Sequence, residues 1–116
     1  MPSLGLIGPY SLNSEEIDIN FPFNKPGNFA LGYLDDSNVF IVEYVGRSDT
    51  DLNQILKTNL GKSYKYFKAK YIDNDKDRYD KECNNFHDFG EDKLLTNAAH
   101  PAPLQGTSYK CPVCDK

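Results

Sequence analysis

Two runs rich in β-branched and aromatic residues, Asn28 to Leu34 and Val39 to Val45, stand on either side of the cluster Asp35-Asp36-Ser37-Asn38. Short polar side chains of this kind bond to nearby backbone and turn the chain. Strand-forming runs joined by such a turn predict an antiparallel hairpin. Pro26-Gly27 breaks the chain just before the first strand, and Gly46 closes the second. Because side chains alternate along a strand, Phe29, Leu31 and Tyr33 share one face and Ala30, Gly32 and Leu34 the other.

Beyond the hairpin, Ser48, Asp49 and Asp51 offer helix N-caps, and Leu52, Ile55, Leu56 and Leu60 recur at helical spacing before a stop at Gly61. Tyr64 to Ile72 alternates aromatics with lysines and reads as a third strand, and Lys76 to Phe89 as a second helix ending at Gly90. Residues 1–25 carry Pro2, Pro9 and Pro22 and read as a loop-rich lead-in. Within it, Ser14 to Glu16 suits a helical turn, whereas Ile17 to Ile19 alternates like a strand. The expected architecture is α/β: a mixed sheet of about three strands flanked by helices. Residues 26–100 form its body, and the tail 101–116, with Pro101, Pro103 and Gly106, packs on the same domain. A chain of 116 residues holds one such domain with a modest core.

The apolar runs are too short to span a bilayer, and the first residues lack a basic stretch followed by a long apolar one. The expectation is a cytoplasmic protein with no membrane partner. The net charge of −4 argues against a general nucleic-acid binder, yet the charge is unevenly spread. Lys57, Lys62, Lys65, Lys68 and Lys70 fall between Ile55 and Tyr71 with no acid among them. Eight acids against Lys76, Arg78 and Lys81 follow between Asp73 and Asp92. One region can face phosphate while the other repels it, although a run of lysines also simply solvates a strand.

Three cysteines are present. Cys111 and Cys114 form Cys-Pro-Val-Cys, a tight turn able to bring two thiolates to one ion. Cys83 and His87 are four residues apart on the second helix and so share a face. Together the four residues supply the ligand number and chemistry of a closed structural zinc site, with His100 as a rival ligand. Zinc would then pin the tail to the helix and compensate for a small core. A redox pair at Cys111 and Cys114 is the competing reading; such pairs belong at a helix start rather than near a chain end.

Tyr44-Val45-Gly46-Arg47-Ser48, followed by Asp51-Leu52, is the most distinctive run in the chain. It resembles the second half of the GIY-YIG nuclease signature. In that family a Gly-x-Tyr element precedes a strand ending in Tyr-Ile/Val-Gly and a basic residue. A helix opening Asn/Asp-Leu then carries an arginine, and a later helix a glutamate. Pro26-Gly27-Asn28-Phe29 matches the first element with Phe for Tyr; Leu31-Gly32-Tyr33 offers a tyrosine at a similar spacing from Tyr44. Either Phe29 or Tyr33 fits the first position, and Tyr33 has the hydroxyl. Glu82 matches the metal-binding glutamate, and Asn97 a polar residue that follows it. The helix arginine falls at Ile55, with Gln54 and Lys57 the nearest polar residues. The resemblance covers roughly residues 26–100.

What the resemblance implies is a metal-dependent endonuclease that hydrolyses phosphodiester bonds in DNA. Glu82 would hold Mg²⁺ or Mn²⁺ that keeps most of its waters. The ion polarises the phosphoryl oxygen and neutralises growing charge. Tyr33 and Tyr44 would relay or accept a proton, and the Arg47 guanidinium would clamp phosphate. Lys57, Lys65, Lys68, Lys70 and Asn97 would contact the nucleic acid, with Tyr64 and Tyr66 available for stacking. The alternative from a different class is a catalytically degenerate, zinc-stapled module that binds nucleic acid or protein. A homodimer or larger complex is compatible with either.

Overall fold

The computed structural model describes residues 5–89, together with Leu95, Pro101 and Pro112. Seven elements follow in order: β1 (Ile7–Ser11), α1 (Ser14–Asn20), β2 (Gly27–Leu34), β3 (Phe40–Ser48), α2 (Leu52–Thr58), β4 (Tyr66–Tyr71) and α3 (Asp75–Asp88). The strands form one sheet in the order β1-β4-β2-β3, so β2 and β4 are the inner strands. Every pairing in it is antiparallel.

The hairpin, α2, β4 and α3 lie where the hydrophobic spacing and turn residues place them. Two expectations are corrected. The sheet has four strands rather than about three, and it is antiparallel rather than mixed. The second follows from β4, which pairs with β2 and runs antiparallel to it, and the first from the N-terminal residues expected as a loop-rich lead-in. Ile7–Ser11 adds the fourth strand against β4, and Ser14–Asn20 is a helix, not a strand. Asn13 decides the latter: its Oδ1 accepts from the Glu16 backbone N–H at 2.8 Å, capping the first turn.

Each inner strand feeds both faces of the sheet. Phe29 and Leu31 of β2 and Phe67 and Ala69 of β4 pack with Ile17 and Phe21 from the α1 region and Leu52 and Leu56 of α2. Ala30 and Val45 look the other way and meet Phe86 of α3 and Leu95. Between Leu31 and Gly32 the β2–β3 register shifts, since Leu31 lies opposite Tyr44 but Gly32 opposite Val42. Glu43 is thus an extra residue on β3, a bulge that lets Val42 and Phe40 stay on the α3 side. Among the described residues, no helix is long and apolar enough to cross a membrane.

Candidate functional site

The end of β3 divides its side chains between the two faces. Val45 and, two residues on, Arg47 project towards α3, while Tyr44 and Gly46 project towards α2. The ring of Tyr44 stacks on Phe29 with centroids 6.0 Å apart and planes at 24°. Gly46 makes room for this stack, because a Cβ there would lie 2.6 Å from the Phe29 ring.

On the α3 side Arg47 is held from three directions. Its Nη1 donates to Glu82 Oε1 at 2.5 Å, and its Nε to both Asp49 oxygens at 3.2 Å. The guanidinium stands 5.5 Å from the centre of the Tyr79 ring, in cation–π range. Asp49 Oδ1 also accepts from Nε of Arg78 at 3.1 Å. Arg78 turns Nη1 to the carbonyls of Ile72 and Asp73, each at 2.9 Å, and Nη2 to Asp75. Its own carbonyl accepts from Asn28 Nδ2 at 3.0 Å. The Arg78 side chain is only 2 % exposed, so nearly all its hydration has been exchanged for these partners.

Two guanidinium groups and three carboxylates thus join the end of β3, the loop after it and the first two turns of α3. Taking a lone charge from water costs several kcal/mol, and a network of this size survives only because each charge is paired. Burial opposes the charge on Arg47, but Glu82 and Asp49 outweigh it and hold its pKa above the usual guanidinium range. The network is a clamp on α3 as much as a candidate site.

Of the four residues expected to carry catalysis, Arg47 and Glu82 are in contact. Tyr44 is on the opposite side of the sheet from the Arg47 side chain. Its phenol is pushed above the ordinary value, first by burial and then by the charges of Glu82 and Tyr64. At neutral pH it is a hydrogen-bond donor rather than a base. Tyr33 sits near the turn of the hairpin, opposite Ile41 and 40 % exposed. Phe29, not Tyr33, is the residue against the Tyr44 ring. Ile55 packs half-buried against the core on the α2 side.

The lysines do not line one surface. Lys57 pairs with Asp18 at 2.6 Å on the α1–α2 side. Lys65 is exposed, just before β4. Lys68 and Lys70, in register with Ala30 and Asn28, lie on the α3 side; the Lys68 ammonium stands 5.4 Å from the centre of the Phe40 ring. Cys83 is buried on α3, and His87 is half-buried one turn later, its ring edge-on to Phe86. Asn97, His100, Cys111 and Cys114 lie outside the described residues, so the proposed zinc set is only half in view. Among the described residues, no group of three or more His, Cys, Asp and Glu side chains is placed to hold a metal ion.

Sequence reasoning singled out Arg47 and Glu82 but not Asp49 as a carboxylate partner, nor Arg78 at all. A single arginine among Asp73, Asp75, Asp77 and Asp80 reads as part of a solvated acidic helix. The available signal was the helix start: Asn74 caps α3 by accepting from the Asp77 N–H at 3.0 Å, which fixes where Arg78 must point. Compared with protein-family models, with curated proteins and with solved structures, the chain matches none.

Proposed function

We propose that this chain is a metal-dependent endonuclease of the GIY-YIG type that hydrolyses phosphodiester bonds in DNA. The supporting observation is the contact between Arg47, at the end of the hairpin, and Glu82, on α3. Two residues expected to serve one phosphate from distant parts of the sequence meet at 2.5 Å. A guanidinium already flanked by Glu82 and Asp49 can exchange a carboxylate for phosphate oxygens, which accept the same forked donors. Glu82 would provide a carboxylate for a hydrated Mg²⁺ or Mn²⁺, which asks only one or two of a protein. When bound, the ion would supply charge neutralisation and an activated water. In this reading Tyr44, across the sheet from Arg47, takes no part in the phosphate contact there, and Tyr33 contacts substrate at the rim.

A second reading has specific support. Phe29 offers no hydroxyl beside Tyr44, and Ile55 brings no guanidinium to the α2 side. Both favour a module that binds nucleic acid or protein without turnover, stapled by zinc through Cys83, His87, Cys111 and Cys114.

Supercoiled plasmid incubated with Mg²⁺ or Mn²⁺ separates the two. Nicking that falls at least a hundredfold in Glu82→Ala and Arg47→Ala supports the enzyme, a loss on the scale of a missing transition-state contact. Retention of plasmid without nicking at either ion would leave only the binding module. Metal analysis of the purified protein tests the staple, with one zinc per chain expected.

A further inference from the structure

The chain contains two arginines, Arg47 and Arg78, and one carboxylate holds both. Asp49 accepts from Arg47 Nε with each of its oxygens at 3.2 Å, and from Arg78 Nε through Oδ1 at 3.1 Å. Local sequence puts it there. Asp49 follows β3 by one residue and Arg47 by two, so strand alternation turns both side chains towards α3. The loop that carries it is pinned. Ser48 Oγ accepts from the Asp51 N–H at 2.9 Å, and Asp51 in turn caps α2 by accepting from the Gln54 N–H at 3.1 Å.

Glu82 holds Arg47 on different terms. It accepts from Nη1, and its side chain is one methylene longer than that of Asp49, so it has more rotamers to move into while α3 stays in place. The two carboxylates also differ in what their departure would leave. Without Asp49, Arg78 Nε loses its acceptor, and the Arg78 side chain is too deeply buried for bulk water to replace it. A phosphate oxygen that takes the place of Glu82 on Nη1 leaves Arg78 untouched, and Nη1 goes from one charged acceptor to another.

We propose that Asp49 is a positioning residue for phosphate binding at Arg47: it stays on Nε and fixes the guanidinium while a phosphate oxygen displaces Glu82 from Nη1. This rests on the reading of Arg47 as the residue that clamps phosphate, and it gives the two neighbouring carboxylates opposite parts. Asp49 aims the cation. Glu82 competes with the anion for it.

The test is binding of a fluorescent single-stranded oligodeoxynucleotide to the full-length chain, with no added divalent ion, at fixed ionic strength. Affinities are referred to the folded fraction measured by circular dichroism. Arg47→Ala should weaken binding about tenfold, as loss of a charge-assisted contact does. Glu82→Gln and Asp49→Asn each remove one negative charge, so the general field of the protein favours the anion equally in both. Glu82→Gln should nevertheless tighten binding about fivefold, because a neutral amide competes less well for Nη1. Asp49→Asn should weaken it about fivefold, because its NH₂ group is a donor facing a donor. Unchanged binding in Arg47→Ala would remove the phosphate-clamp reading and this proposal with it. Loss in Arg47→Ala with gains of similar size in the other two variants would overturn the positioning role alone.

A second measurement covers an Asp49→Asn chain that does not fold. With two arginines, the ¹⁵N spectrum of the parent should carry two Nε–H signals, and the one absent from Arg47→Ala belongs to Arg47. Both should stay protected from exchange with water at saturating oligonucleotide. Loss of the Arg47 signal on binding would make Asp49 the carboxylate that leaves, and the proposal would fall.

Discussion

The two faces of the sheet are stabilised by different physics. On the α1–α2 face, Phe21, Phe67, Tyr10 and Tyr71 pack edge to face or tilted, with centroids 5.5 to 6.2 Å apart, around Leu31, Leu52 and Leu56. That face is aromatic and aliphatic, and its strength comes from area removed from water. On the α3 face the apolar cluster contains small residues such as Ala30 and Val45, and the helix is fastened by Arg47, Asp49, Arg78, Asp75 and Glu82. An apolar face tolerates any ionic strength but offers little to a charged ligand. An ionic face holds its helix with the same groups that can bind one. The difference makes the α3 side the better candidate for chemistry.

The comparison is tested first by the largest side chains on each face. Phe67→Ala should cost about 3–5 kcal/mol through a cavity, with little dependence on salt. Arg78→Ala should cost a similar 3–5 kcal/mol, because it leaves Asp49 and Asp75 short of their shared cation. Urea unfolding at low and high salt measures both. A loss below about 1 kcal/mol for Arg78→Ala would show that apolar contacts alone hold α3.

A smaller effect sharpens the ionic side. A double-mutant cycle of Arg47→Ala and Glu82→Ala should give a coupling of about 1–3 kcal/mol, as expected for directly bonded neighbours. Additive losses would mean that Asp49 alone satisfies Arg47.

The smallest effect lies between the faces. The folded-state pKa of Tyr44 is raised, so its contribution to stability is present below the ordinary phenol value of about 10 and lost as the pH climbs through the raised one. Ultraviolet titration should show late-ionising tyrosines, with burial raising Tyr71 as well, and one fewer of them in Tyr44→Phe. If that variant titrates like the parent, Tyr44 is not a late phenol.

Much of this was legible in the sequence. The β2–β3 hairpin, α2, β4 and α3 follow from alternation, helical spacing and their turn residues, all of which act over a few positions. The pairing of Arg47 with Glu82 was legible as shared chemistry, though not as a contact. Two things were not. Ile7–Ser11 has proline and glycine in its middle, and only β4 gives it strand partners. Arg78 carries no local mark of burial, since its partners come from β3's exit loop and from carbonyls just before its helix. Tyr33 was preferred to Phe29 for its hydroxyl; the residue that packs on the Tyr44 ring beside Gly46 is Phe29, a contact that no local pattern announces.

The strand order has a consequence in time as well as space. β2 and β3 are joined by a tight turn, but β1 opens the sequence of elements and finds its partner only in β4, Ile7 opposite Ala69. During synthesis from the N-terminus, β1 must wait until β4 has emerged, with its apolar groups unshielded meanwhile. The entropy of closing so long a loop disfavours early pairing even in the full-length chain. Pulse-labelling hydrogen exchange should therefore find the amides of β2 and β3 protected before those of β1. Simultaneous protection would show that the sheet forms as one unit. Gly5, two residues before β1, lies against the end of the Lys81 side chain, so late docking of β1 would also delay this contact with α3.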